Sequence, residues 1–229
     1  MNTTAIVLAR GGSKGIPNKN IIDFCGLPLI AWTIKNCIQG GADSVWVSSD
    51  SDEILNVGVK YGANKIKRPA DISGDFATSE SAWLHAINHI SKQDGPAIDW
   101  VLAPQVTSPL REAKDVQNGI AKAKTGHYDS LFSCSIAEDL FFWEKDQNGQ
   151  LDSVNYDWRN RKRRQDIPQQ YIENGSFYLF RPEVLASGNN RFGKQIGFVE
   201  MEFWKMFEID SMDDLRMCSA LMKEFIISG

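Results

Sequence analysis

The 229-residue chain has only three histidines and four cysteines, and its apolar runs are short. Stretches such as residues 28–32 and 225–227 fall far below the roughly 20 residues that cross a bilayer, which argues against a membrane partner. Cys25, Cys37, Cys134 and Cys218 are dispersed and form no Cys-x-x-Cys pair. With so few histidines, neither a disulfide framework nor a zinc site is suggested, and the cysteines read as small buried hydrophobes of a reducing cytosol. The first eight residues lack a cationic segment, and the Arg10–Gly15 run occupies the place of a signal peptide's apolar core; a cytoplasmic protein is expected. Positive charge is not in surplus either: Lys and Arg total 25 against 29 Asp and Glu. That balance gives no overall attraction to nucleic acid or anionic lipid, so any basic site is local. Hydrophobic residues at 42% and charged residues at 24% exclude a disordered chain.

What is present is an alternation of short β-rich runs and helical periodicity. Residues 5–9 form a continuous apolar run suited to a buried parallel strand. Leu29, Ile30, Ile34, Cys37 and Ile38 share one helical face, which Gly40-Gly41 closes. Residues 44–48 predict a second strand, and Asp50 and Glu53 then stand at capping-box spacing before Ile54, Val57 and Tyr61. A third strand at 64–67, a helix capped by Ser79, a fourth strand at 100–103, a helix through Val116 and Ile120, and a strand at 130–134 follow. Later come strands at 175–180 and 206–209 and a closing helix from Ser211. Strands separated by helices imply a three-layer αβα, Rossmann-like sheet, mainly parallel, with ligands at the C-terminal strand ends. The whole chain reads as one domain, 1–229, interrupted at 136–168 by a polar, basic, aromatic-dotted arm.

Chemistry is densest after the first strand, at Leu8-Ala9-Arg10-Gly11-Gly12-Ser13-Lys14-Gly15-Ile16-Pro17-Asn18-Lys19-Asn20. The glycines allow a tight turn and close approach of backbone N–H groups, and Arg10, Lys14 and Lys19 add charge: a phosphate cradle. It is neither a Walker A loop nor a GxGxxG fingerprint. Leu8 and Ala9 would present backbone groups to a base, with Ser13, Asn20 and Arg68 as side-chain contacts. Gln105, Thr107 and Ser108 place an amide and two hydroxyls at the fourth strand end, suited to a polyhydroxylated ligand or to capping the next helix. Five of the six residues at 159–164 are basic, as a solvated face, a nucleic-acid contact or a carboxylate clamp would require. Glu208 and Asp210, on one face of the expected last strand, could hold a cation against phosphates. His85 and His89 lack a third ligand, and no nucleophile–base pair stands out.

These residues resemble the signature of the CMP-sialic acid synthetases, or acylneuraminate cytidylyltransferases. The likeness rests on Arg10-Gly-Gly-Ser-Lys-Gly with Lys19-Asn20, Ser48-Ser49-Asp50-Ser51, Arg68-Pro69, Gln105-Val106-Thr107-Ser108-Pro109-Leu110-Arg111, Arg163-Arg164-Gln165-Asp166, Asn174-Gly175-Ser176-Phe177-Tyr178 and Ile209-Asp210-Ser211. It implies transfer of CMP from CTP to a nonulosonic acid with release of pyrophosphate, using magnesium, or manganese in its place, in a homodimer that exchanges its arms. Catalytic roles then fall to Arg10, Lys14, Lys19 and Asp210. Nucleotide contacts fall to Leu8, Ala9, Arg10, Gly11, Gly12, Ser13, Lys14, Lys19, Asn20, Arg68 and Ser79. The sugar falls to Gln105, Thr107, Ser108, Arg164, Gln165, Asn174 and Tyr178, with Arg164 acting in cis or in trans, and the metal to Glu208 and Asp210, although the family usually has Asp at the first of these. Phe141, Phe142, Trp143 and Phe192 are candidates for an acyl pocket or for arm packing. Activation of another 2-keto sugar acid such as Kdo is the near alternative; a nucleotide- or RNA-binding homologue without catalysis is the distant one.

Overall fold

A computed structural model describes residues 1–228. Its centre is a seven-stranded sheet. The strands are β1 (Thr3–Leu8), β2 (Ser44–Ser49), β3 (Asn64–Lys67), β4 (Trp100–Pro104), β5 (Ser130–Ala137), β6 (Gln170–Phe180) and β7 (Ile196–Glu200). They lie in the order β7-β5-β6-β4-β1-β2-β3. Only β6 runs against its neighbours; the other pairings are parallel. The helices are α1 (Leu29–Gln39), α2 (Asp52–Lys60), α3 (Ser79–Ile90), α4 (Ala113–Ala123), α5 (Pro182–Gly188) and α6 (Met212–Met222).

Strand alternation sorts the core into two faces. Ala5 and Val7 of β1 pack with Leu29, Ile34, Leu55, Val116, Cys218 and Met222 from α1, α2, α4 and α6. Ile6, between them, packs with Trp83, Ala86, Ile87 and Leu185 from α3 and α5 on the opposite face. The expected three-layer architecture is present. The chain builds β1, β2 and β3 outward in one direction and then returns to lay β4 on the other side of β1. That reversal leaves a crevice beyond the C-terminal ends of β1 and β4, where doubly wound sheets place ligands.

Several local expectations change. Ser51, not Asp50, caps α2 by accepting from the Ile54 N–H, because Asp50 is drawn away to the Gly11 N–H at 2.9 Å. Thr78 rather than Ser79 caps α3. Glu112 and Asp115 cap α4 in a reciprocal box, so Thr107 and Ser108 are not needed there. No strand forms at 206–209: a short 3-10 turn, Phe203–Met206, leads into extended chain, and β7 lies earlier, where no strand was expected. Ile38 and Phe225 are exposed. Between β5 and β6 the chain runs out into a small hairpin, Trp143–Lys145 paired with Leu151–Ser153, whose aromatic rings pack on one another. No helix among the described residues is long and apolar enough to cross a membrane.

Candidate nucleotide-binding site

A cavity of about 580 Å³ fills the crevice between β1 and β4. Leu8, Arg10, Ser13, Lys14, Gly15, Lys19 and Asn20 line one wall; Gln105 and Thr107 form the floor; Ser79, Trp83 and Arg191 stand opposite, with Asp210 at the rim. A side cleft of about 290 Å³ shares Leu8, Arg10 and Ser79 and is closed by Arg68, residues 72–75, Ala77 and Thr78.

The loop after β1 is held in shape by its own chain. Asn20, buried, donates to the Arg10 carbonyl at 2.9 Å, and Gly11 N–H is taken by Asp50. Ala9 N–H donates to the Ser48 carbonyl and Ser13 N–H to that of Gly11. The N–H groups of Ala9, Gly11 and Ser13 are thus engaged in supporting the loop, while its cations Arg10, Lys14 and Lys19 line the cavity. Gly12 has open space around it, whereas a Cβ on Gly15 would sit 2.5 Å from the Asp210 carbonyl. Glycine at 15 thus lets the loop abut the chain that carries Asp210.

The cations are poised by carboxylates. Asp75 receives Arg10 at 2.8 Å on one oxygen and Lys14 at 2.7 Å on the other. The hydrogen bonds from Lys14 and Arg10 hold the Asp75 carboxyl below its ordinary range. Lys19 donates to the Ile209 carbonyl at 3.1 Å and to Asp210 at 2.8 Å. Arg68 is buried and its Nε has no protein partner; burial pushes its guanidinium down, with Asp50 opposing and Arg10 reinforcing. A buried, partly unpaired guanidinium facing a cleft needs an acceptor that the protein does not supply.

The floor is held from below by Arg111, which is wholly buried and meets no carboxylate among the described residues. Its Nη1 donates to the Ser176 carbonyl at 2.5 Å and hydroxyl at 3.0 Å, and its Nη2 to Thr33 at 3.1 Å and more loosely to the Gln105 carbonyl at 3.4 Å. Gln105 is thereby held at the strand end, and the Thr107 carbonyl accepts from the Ile209 N–H at 2.8 Å.

Five of the residues expected at the sugar do not line this cavity within one chain. Ser108 is buried beneath the floor. Asn174 is spent inside β6, accepting from Ser176 N–H and donating to Ser135. Arg164 and Gln165 line a separate cleft, where Arg164 pairs with Glu138 and Asp139. Tyr178 is buried, donates to Glu173 and lies beneath Arg191 rather than on the cavity wall. Three more cations of the basic run are also engaged: Arg159 stacks on Trp158, Arg161 on Phe141, and Arg163 meets Asp166 at 2.8 Å.

The two carboxylates at the chain's end separate for the same reason that the expected strand is missing. Asp210 lines the cavity, while Glu208 turns toward Gly175, whose φ of +63° and lack of a side chain make the room. Burial raises the Glu208 carboxyl, the charge of Asp210 adds to this, and Ser108 and Lys19 oppose it. Among the described residues no group of three or more His, Cys, Asp or Glu could hold a metal alone. Magnesium commonly uses one or two carboxylates together with substrate phosphates. Asp210, with Oδ1 on Lys19 and Oδ2 without a donor among the described residues, fits that pattern; Glu208 does not reach the wall.

Asp50, Asp75, Trp83, Arg111 and Arg191 were not among the expected site residues. For Asp50 the signal was its place one residue past a strand end beside a glycine loop; Arg191 lies in a loop with no motif.

A doubly wound sheet whose switch-point crevice is walled by a glycine loop and three cations defines a nucleotide-binding α/β protein. Residues 4–223 match the cytidylyltransferase family, and the chain belongs to it. It is 35% identical over 211 residues to N-acylneuraminate cytidylyltransferase A of Danio rerio, a match covering 90% of this chain and 47% of that protein. The chain thus spans about half the length of that relative. It is 31% identical over 230 residues to the pseudaminic acid cytidylyltransferase of Campylobacter jejuni, covering 97% of each. Among solved structures, a CMP:2-keto-3-deoxy-manno-octonic acid synthetase complexed with CTP superposes with a TM-score of 0.70 over 98% of this chain and 99% of the other, at 15% identity. That likeness concerns the fold.

Proposed function

We propose that the chain transfers CMP from CTP to the anomeric hydroxyl of a nonulosonic acid and releases pyrophosphate. The observation that carries the reading is the division of one cavity into a cationic wall and a neutral hydrogen-bonding floor. The relatives that act on such acids match nearly the whole chain. The Kdo-type alternative is supported only by a structure at 15% identity, which speaks to the fold.

In this reading the cytosine and ribose occupy the side cleft against Leu8, Arg68 and Ser79, and the triphosphate lies along Arg10, Lys14 and Lys19. Gln105 and Thr107 hold the sugar so that its anomeric oxygen faces the α-phosphorus in line with the leaving pyrophosphate. That oxygen forms the new P–O bond as the bond to the β-phosphate oxygen breaks. The hydroxyl proton passes to water. Catalysis is then mostly positioning and neutralisation of charge by fixed cations. Asp210 would hold a divalent cation, magnesium or manganese, which supplies further neutralisation when bound. A homodimer in which the arm at 136–168 reaches the neighbouring cavity would bring Arg164 and Gln165 of one copy to the acid's carboxylate in the other. The exposed Phe142, Trp143 and Trp158 of the arm supply apolar surface for that exchange.

The test is CTP-dependent pyrophosphate release with sialic, legionaminic, pseudaminic and Kdo-type acids. Turnover of one or more nine-carbon acids is expected, and release with none of them overturns the reading. Asp75→Asn gives a second expectation, because the cations it holds must turn to phosphate. The apparent KM for CTP should fall roughly two- to fivefold, and inhibition by pyrophosphate should tighten by a similar factor, as expected for an exposed ion pair. Both effects should fade at high salt. An unchanged KM at low salt would show that Asp75 does not compete with the triphosphate.

A further inference from the structure

Arg111 ends the turn that begins at Gln105, and the proposed chemistry gives it no contact with either substrate. It is 1% exposed. Burial pushes its guanidinium down, with Cys37 and Asp115 opposing. A buried charge without an ionic partner is costly, and neutral residues of similar volume commonly serve a core as well or better. What the charge obtains here is a set of neutral acceptors from three segments. Nη1 donates to the carbonyl and hydroxyl of Ser176 in β6, at 2.5 and 3.0 Å, and to the Ser108 carbonyl at 3.4 Å. Nη2 donates to the Thr33 hydroxyl of α1 at 3.1 Å and to the Gln105 carbonyl at 3.4 Å. The Ser176 carbonyl also accepts from the Gln105 N–H at 3.0 Å. Both backbone groups of Gln105 thus run to the guanidinium or to an acceptor that it holds, and Thr107 lies between two carbonyls that receive it. On the far side, Asn36 of α1 donates to the Arg111 carbonyl at 2.5 Å, so the fork takes its place from a core helix.

We propose that Arg111 is the positioning residue of the acid-sugar floor, and that its planar fork, more than its charge, sets the direction in which Gln105 and Thr107 meet the sugar. The inference rests on the proposed transfer to a nonulosonic acid. The floor offers neutral hydrogen-bonding groups, whose worth depends on direction, and a displacement of about 1 Å in such a group can cost on the order of 100-fold in rate. Lysine in the same place would keep the charge but present its donors from one nitrogen, which cannot span Gln105, Ser176 and Thr33 together. The consequence is selective. Arg10, Lys14 and Lys19, which the triphosphate is read to use, stand on the loop after β1 and make no hydrogen bond to Arg111 among the described residues, so a disturbed fork should misplace the sugar and leave the nucleotide seated.

The experiment measures pyrophosphate release by the unaltered chain, Arg111→Lys and Thr33→Val, titrating CTP and acid separately. The acid is whichever of sialic, legionaminic and pseudaminic acid the unaltered chain turns over. Arg111→Lys should raise the KM for the acid about tenfold and lower kcat about tenfold, together the roughly 100-fold that misplacement can cost. The KM for CTP at saturating acid should stay within about twofold. Thr33→Val removes one acceptor of the fork from a helix that does not line the cavity, and should shift the acid's kcat/KM in the same direction by about threefold, the usual scale of one hydrogen bond. A folded Arg111→Lys with unchanged acid parameters would show that charge alone suffices and overturns the assignment, as does an equal rise in the KM of CTP, which would mark a general disturbance of the fold. Should Arg111→Lys fail to fold, Thr33→Val decides, and an unchanged kcat/KM for the acid there overturns the inference. Turnover of no acid by the unaltered chain overturns the transfer reading and this inference with it.

Discussion

Lys14→Ala is expected to lower kcat/KM for CTP by roughly 100- to 1,000-fold, the range seen when one fixed donor to a charge-developing oxygen is removed. Lys14 is 76% exposed and meets only Asp75 across the cavity mouth, so the fold does not depend on it. Thermal unfolding should move by no more than about 1–2 °C, as for an exposed substitution away from the core. Pyrophosphate release at saturating acid sugar reads the first effect and calorimetry the second. Near-normal turnover would remove Lys14 from the triphosphate wall. A large loss of stability would mean that the fall in rate reports unfolding.

Lys205→Met is expected to cost about 3–5 kcal/mol of stability, the usual consequence of removing one partner from a buried ion cluster. The Lys205 side chain is 0% exposed and its Nζ lies 2.8 Å from Glu112, 2.8 Å from Asp115 and 2.7 Å from Glu202. Methionine keeps the stem but leaves three carboxylates facing one another. The pH dependence follows from their shifts. Although burial opposes it, the ammonium of Lys205 holds Glu202 down to about 2 and likewise depresses Glu112. Their contribution in the unaltered protein is therefore complete above the ordinary carboxylate range and is lost as pH falls toward 2. Burial dominates at Asp115 and raises it, so this carboxylate offsets part of that gain. In the variant the unpaired carboxylates are raised instead, so the deficit relative to the unaltered chain is largest near pH 7 and shrinks below about pH 5. Melting curves of both proteins at pH 7 and 4.5 test this; a deficit independent of pH would assign the loss to packing.

The elements that could be read from the chain are those whose signal is local. The apolar run of β1, the capped periodic helices and the glycine-basic loop each carry their pattern within about ten residues. The ions of the loop were readable for the same reason, since Arg10, Lys14 and Lys19 all sit on one turn. What escaped depends on contacts distant in sequence. Thr107 and Ile209 meet through the backbone, and Asp75 reaches back 65 residues to Arg10; no spacing rule announces either. The carboxylates at 208 and 210 were placed on one face because a strand was assumed, and the 3-10 turn anchored by Lys205 prevents that strand. Arg164 was assigned by its motif, and its distance from the cavity within one chain could be learnt only from three dimensions. Arg191 stands in a loop without pattern and is defined by the rings of Trp83 and Tyr178 and the carboxylate of Glu80 that tertiary structure brings around it.

The abutment of residue 15 on the carbonyl of residue 210 gears the two ends of the chain together. Any side chain at 15 would push the tail outward and take Asp210 and the anchor of Lys19 with it. The segments 10–20 and 203–214 therefore form one heritable module, and a chimaera that borrowed only one of them from a relative would inherit half a mechanism.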